Sequence, residues 1–80
     1  MLINVPGPHD NREKAALIAS PAVQEAIRQQ EARLAGDGRI LVRPSGTEAL
    51  LRVMVESGDI DTAQDVAKTL ADIIKNIQIS

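Results

Sequence analysis

Apolar and polar positions change period several times along the chain, and each change marks an element. Leu2-Ile3-Asn4-Val5 reads as a short strand. Pro6-Gly7-Pro8 closes it, because two prolines and a glycine forbid both helix and a continued ladder. Asp10-Asn11-Arg12-Glu13 has capping-box spacing ahead of Ala15-Ala16-Leu17-Ile18, a pattern open to a short helix or a turn. Ser20-Pro21 restarts the chain, with serine as N-cap and proline at the first helical position. From there Val23, Ala26, Ile27, Gln30 and Leu34 fall on one helical face, while Gln24, Glu25, Arg28, Gln29 and Arg33 fall elsewhere. This predicts an amphipathic helix ending near Ala35, with Gly36 as its C-cap.

Arg39 to Arg43 alternates and is rich in Ile, Leu and Val; Leu50 to Glu56 does the same. Both read as strands, joined by Pro44 to Ala49, a connection of hairpin length with Gly46 inside it. After the Ser57-Gly58-Asp59 break, Asp61-Thr62-Ala63-Gln64 offers a second capping-box spacing. Ala63, Val66, Ala67, Leu70, Ile73, Ile74 and Ile77 then form a helical stripe, with Asp65, Lys68, Asp72 and Lys75 on the wet face. The predicted order is β-α-β-β-α, with room for an extra strand or short helix before residue 20. The fold class is α+β: a two-layer sandwich of a mainly antiparallel sheet with helices on one face.

The hairpin carries a geometric expectation. If Ile40 and Val42 share the helix-facing side with Leu51, Val53 and Val55, the numbers of cross-strand partners must sum to an odd value, for instance Val42 opposite Leu51. Leu41, Arg43, Leu50, Arg52 and Met54 then occupy the other face. Arg43 and Arg52 therefore point the same way, on either side of the loop mouth.

Composition narrows what this arrangement can do. The chain contains no Phe, Tyr or Trp, so neither bases nor sugars can stack on aromatic rings, and any ligand is held by charge and hydrogen bonds. The net charge of −2 supplies no global field toward nucleic acid or membrane, and neither is expected as a partner. With no cysteine there is neither a disulfide framework nor a thiolate metal site, which suits a cytoplasmic location. The longest apolar run, Ala15 to Ala19, is far short of the ~20 residues of a membrane span. Eighty residues predict one domain, 1–80. A strand beginning at residue 2, with no leader ahead of it, reads as a piece of a longer chain.

The candidate chemistry lies in Arg43-Pro44-Ser45-Gly46-Thr47-Glu48 together with Arg52. Arginine supplies forked donors that match phosphate oxygens. Gly46 permits φ > 0 and close backbone approach, successive N–H groups can form an anion nest, and the Ser45 and Thr47 hydroxyls can donate. The alternative is a structural turn, with Arg43 and Arg52 solvated or paired to Glu48 or Glu56. Spacing alone leaves both open, since the motif is short and is not among the well-known phosphate fingerprints.

Gly38-Arg39-Ile40-Leu41-Val42-Arg43-Pro44-Ser45-Gly46-Thr47-Glu48, followed by Leu51-Arg52-Val53-Met54-Val55-Glu56, resembles the C-terminal domain of the α-D-phosphohexomutases, most nearly their bacterial phosphoglucosamine mutase branch. The resemblance runs back through Pro21-Ala22-Val23 to Ile3-Asn4-Val5 and covers essentially the whole chain. The loop stretch is specific and the helices are not. The resemblance implies the last of four domains around a cleft, closing over a phosphosugar and gripping its non-reacting phosphate through Arg43, Ser45, Gly46, Thr47 and Arg52. It implies an enzyme that interconverts glucosamine 6-phosphate and glucosamine 1-phosphate through a phosphoserine and a bisphosphorylated sugar, with magnesium at the phosphoserine, feeding cell-wall precursor synthesis. A phosphomannomutase or phosphoglucomutase is the near alternative, and a non-enzymatic α+β interaction or regulatory module the second hypothesis. Where the family usually has proline after Thr-Glu, this chain has Ala49, which leaves the loop exit less stiff.

The family's phosphoserine, metal and sugar-reading loops have no counterpart here. Ser20, Ser45, Ser57 and Ser80 lack a neighbouring general base, and the one histidine, His9, reads as an exposed loop residue. Asp59 and Asp61 read as helix caps rather than metal ligands. No catalytic residue is expected in this chain and no cofactor of its own; it is expected to work with the other domains of the same enzyme.

Overall fold

The structure, a computed structural model, describes residues 1–79, the side chain of residue 79 excepted. Ser80 lies outside the described residues. The elements are β1 (Leu2–Pro6), α1 (Asn11–Ala19), α2 (Pro21–Arg33), β2 (Gly38–Pro44), β3 (Leu50–Ser57) and α3 (Ile60–Ile79). The α+β class and the order of elements are as expected, with the segment before residue 20 resolved as a nine-residue helix.

Local chemistry explains each start. The Asp10 carboxylate accepts from Arg12 N at 2.6 Å and Glu13 N at 3.4 Å, satisfying two otherwise orphaned donors of α1. The Ser20 hydroxyl caps α2 by accepting from Val23 N at 3.4 Å, and Pro21 occupies the first turn. α2 ends at Arg33, earlier than expected. Ala35 (φ 51°) and Gly36 (φ 81°) both turn left-handed, so the exit is a two-residue reversal rather than a single glycine cap. α3 begins at Ile60, with its cap two residues ahead of the expected one. Its cap is Asp59, which accepts from Asp61 N at 3.0 Å and Thr62 N at 3.3 Å. Asp59 and Asp61 both fit a cap from sequence; the break after Gly58 leaves Asp59 first in line.

The three strands form one antiparallel sheet in the order β1-β3-β2. Val5, Leu51, Val53 and Val55 are fully buried on the inner face, with Ile3, Ile40 and Val42 packed beside them. α3 covers β3 and β1, while α1 and α2 lie over β2. The α3 stripe of Val66, Ala67, Leu70 and Ile74 completes the core with Val23, Ala26 and Leu34. At roughly 25 cal/mol per Å² of apolar surface, each of the Val, Leu and Ile side chains among them contributes about 1.5–3 kcal/mol of burial.

The odd-sum rule for the hairpin holds, but the pairing is shifted by two residues. Val42 lies opposite Val53, and Pro44 opposite Leu51. Alternation fixes which face a residue occupies and leaves the count to the loop. Here Ser45 N–H donates to Leu50 O at 3.0 Å and closes a longer connection. The outer face thus carries four rows across the strands: Pro6–Leu50, Asn4–Arg52–Arg43, Leu2–Met54–Leu41, and the ion-paired Arg39–Glu56. At the far end of β2, Gly38 (φ 137°) lies so close to β3 that a Cβ would sit 1.9 Å from Glu56 O, which only glycine tolerates.

Candidate functional site

Residues 45–49 form the loop between β2 and β3. Its inward-facing groups are all engaged. Ser45 N–H is spent on Leu50 O at 3.0 Å, Glu48 N–H on the Ser45 hydroxyl at 3.3 Å, and Ala49 O accepts from Gly7 N–H at 2.9 Å. The carbonyls of Ser45 and Glu48 accept from the Lys14 ammonium at 2.6 and 2.7 Å. The helix α1 therefore reaches into the loop from behind and holds both ends of its turn.

Several donors are among the groups left unengaged. Arg43 and Arg52 are exposed and directly opposite each other. Neither makes a hydrogen bond or an ion pair with any described residue. The plain-turn reading had these arginines either solvated or paired to Glu48 or Glu56, and the paired form is absent among the described residues. Glu56 is instead bonded to Arg39, at 3.0 Å from its Nε. The N–H groups of Gly46 and Thr47 and the Thr47 hydroxyl likewise have no partner among the described residues. The loop thus offers two guanidiniums, the N–H groups of Gly46, Thr47 and Ala49 and one hydroxyl, on an exposed turn that also carries the Glu48 carboxylate.

Ser45 and Gly46 differ from the sequence expectation in detail. Ser45 is buried, at 4% exposure, with its oxygen accepting inside the loop; it shapes the turn that carries the other donors. Gly46 does not adopt a positive φ. The Lys14 and Ser45 bonds turn the chain without a left-handed residue. A Cβ on Gly46 would meet nothing within 4 Å, so neither conformation nor internal packing requires glycine there.

Lys14 escaped the sequence reading. It sits among charged and small residues of α1, where a lysine reads as solvated, and its two acceptors lie 31 and 34 residues away. His9 is exposed, as expected. Asp59 is a helix cap, and its carboxyl is held below the usual range chiefly by the Thr62 N–H bond, then by the Thr62 hydroxyl and Asp61 N–H. Among the described residues no three His, Asp or Glu side chains converge as metal ligands. The residues here do not fit the implied magnesium, and no step is assigned through it.

A three-stranded antiparallel sheet with helices on one face, and a β2–β3 loop flanked by two opposed arginines, defines a small α+β domain. The sequence comparisons give its family. Residues 2–73 match the family model for the phosphoglucomutase/phosphomannomutase C-terminal domain, and the chain belongs to that family. It is 50% identical over 66 residues to a phosphoglucosamine mutase of Desulforamulus reducens, covering 82% of this chain and 15% of that protein. It is 46% identical over 74 residues to one of Alcanivorax borkumensis, covering 92% and 16%. A Mycobacterium tuberculosis phosphoglucosamine mutase is 50% identical over 62 residues, covering 78% and 14%. The chain therefore spans about 15% of the length of such relatives. No described helix is long and apolar enough to cross a membrane.

Proposed function

We propose that this chain is the substrate-phosphate-binding C-terminal domain of a phosphoglucosamine mutase, acting with the other domains of that cytoplasmic enzyme on glucosamine 6-phosphate and glucosamine 1-phosphate. One observation carries the reading: Arg43 and Arg52 stand opposite each other at the mouth of the loop, and they and the N–H groups of Gly46 and Thr47 have no partner among the described residues. A dianionic phosphate matches that set in charge, in oxygen number and in its lack of donors. The relatives at 46–50% identity favour an amino-sugar phosphate. The family description, which names phosphoglucomutase and phosphomannomutase, keeps those as the second reading.

The work is positional. Gripping the phosphate remote from the reacting one orients the sugar and converts binding energy into rate. A loop that recognises a phosphate by its oxygens alone can hold either end of a bisphosphorylated sugar, as a reaction that turns its intermediate around requires. Closure of the domain would exclude water from the phosphoserine carried elsewhere. Chemistry, including that of any magnesium ion, belongs to those other domains, and the chain alone is inactive.

By itself the loop binds at millimolar affinity or weaker, about −4 kcal/mol, because association costs consume most of the gain from exposed charge-assisted bonds. Titration with glucosamine 6-phosphate, followed by backbone amide NMR, tests the reading. Gly46, Thr47 and Ser45 should respond first, and Arg43→Ala and Arg52→Ala should abolish the response. Unmoved loop amides alongside responses elsewhere would reject it. If the arginine variants lose association with a protein and not with phosphosugar, the outer sheet face is an interaction module instead.

A further inference from the structure

Lys14 is 1% exposed and heads the fully buried side chains by volume among the described residues. A buried ammonium is costly unless its charge is compensated. Here its acceptors are two neutral carbonyls, Ser45 O at 2.6 Å and Glu48 O at 2.7 Å. It forms no ion pair with any described residue. Carbonyl dipoles satisfy two of its three hydrogens and leave its net charge in place.

The two bonds also set the direction of the loop's donors. Every peptide bond described is trans, and in a trans unit C=O and N–H point opposite ways. Drawing Ser45 C=O toward α1 turns the next N–H, that of Gly46, away from α1. Drawing Glu48 C=O the same way turns Ala49 N–H away as well. Both N–H groups lack partners among the described residues. The buried cation thus lies behind a turn whose amides are aimed outward.

We propose that Lys14 is the positioning residue of the phosphate loop: through the Ser45 and Glu48 carbonyls it turns the Gly46 and Ala49 N–H groups outward and sets an uncompensated positive charge behind the bound anion. This rests on the phosphate reading above and adds to it a residue from a different element. Lys14 touches no ligand; it acts through the two carbonyls. Arg43 and Arg52 face the anion from the sheet, and Lys14 supports it from the opposite side of the backbone.

The test uses this chain with inorganic phosphate as probe. In the wild type, the Lys14 ammonium should give a slowly exchanging ¹⁵N-resolved signal that moves as phosphate saturates. In Lys14→Met the Gly46 and Ala49 amides should shift before any phosphate is added, and phosphate affinity should fall on the order of tenfold or more. Lys14→Arg should recover part of that loss. Val23→Ala, a core truncation on α2 that also lowers stability, should leave affinity within about twofold. A Lys14→Met protein that binds phosphate like the wild type overturns the inference. If that variant does not fold, a wild-type ammonium signal indifferent to phosphate overturns it equally. A wild type whose Gly46 and Thr47 amides ignore phosphate sinks the phosphate reading itself, and this is visible before any substitution is made.

Discussion

Arg43 and Arg52 stand directly opposite one another on the outer face of the β2–β3 pair, and neither is neutralised by a described carboxylate. Like charges in directly opposed positions oppose strand pairing by about 0.2–1 kcal/mol. Evolution of a stable hairpin alone gives no reason to keep both. The expected outcome is that Arg43→Ala or Arg52→Ala leaves the melting temperature unchanged or raises it slightly while removing phosphosugar binding. A thermal melt and an NMR titration on the same samples check it. Loss of stability in both variants would mean that the arginines serve the sheet.

Gly46 separates binding from folding in a second way. A methyl group there meets no described atom within 4 Å and faces no left-handed backbone. Gly46→Ala should therefore keep stability or raise it by about 0.4–1 kcal/mol, through the lower entropy of the unfolded chain. Phosphate affinity should fall, since the methyl group occupies the line of approach. Equilibrium urea unfolding beside the titration reads both quantities.

Ala49 stands where the family usually carries proline. Its φ is not positive, and its N–H has no partner among the described residues, so the ring would remove no internal bond. Ala49→Pro should stabilise the chain by about 0.4–1 kcal/mol, raising the melting temperature by a few degrees at this size. Calorimetry checks it. A lower melting temperature would show that the Glu48–Ala49 backbone is shaped against the ring.

Asp59 gives the pH dependence a sign. Its carboxyl is held low in the folded chain by the Thr62 N–H, with the Thr62 hydroxyl and Asp61 N–H beside it. A depressed folded value means stability that is complete above the unfolded value of about 3.9 and is lost as pH falls from there through the folded value. Asp59→Asn retains a capping oxygen without that titration. The wild type should be the more stable protein at neutral pH, and the two melting curves should converge as pH is lowered. Parallel curves across the acid range would remove Asp59 from the account.

Much of this was legible in the sequence, for identifiable reasons. The α3 stripe and the face of Val23, Ala26, Ile27, Gln30 and Leu34 follow from a 3.6-residue period that burial imposes. Placing Arg43 and Arg52 on one face required only the two-residue period of strands. The actual partner of Val42 was not legible, because alternation repeats every two residues and the loop decides which repeat is used. Lys14 was invisible for a deeper reason. Its role is set by two carbonyls in another element, and backbone groups leave no trace in residue identity.

The Lys14 bonds bear on how portable the motif is. A hairpin cut out from Arg39 to Glu56 and grafted onto another scaffold would keep every letter of Arg-Pro-Ser-Gly-Thr-Glu and both arginines. It would lose the strut from α1 that fixes which way the peptide planes turn. A search by the hairpin's letters would rate such a graft intact. The smallest transferable unit is the hairpin together with the helix that precedes it by two elements, a span set by three-dimensional bracing and invisible to any contiguous pattern.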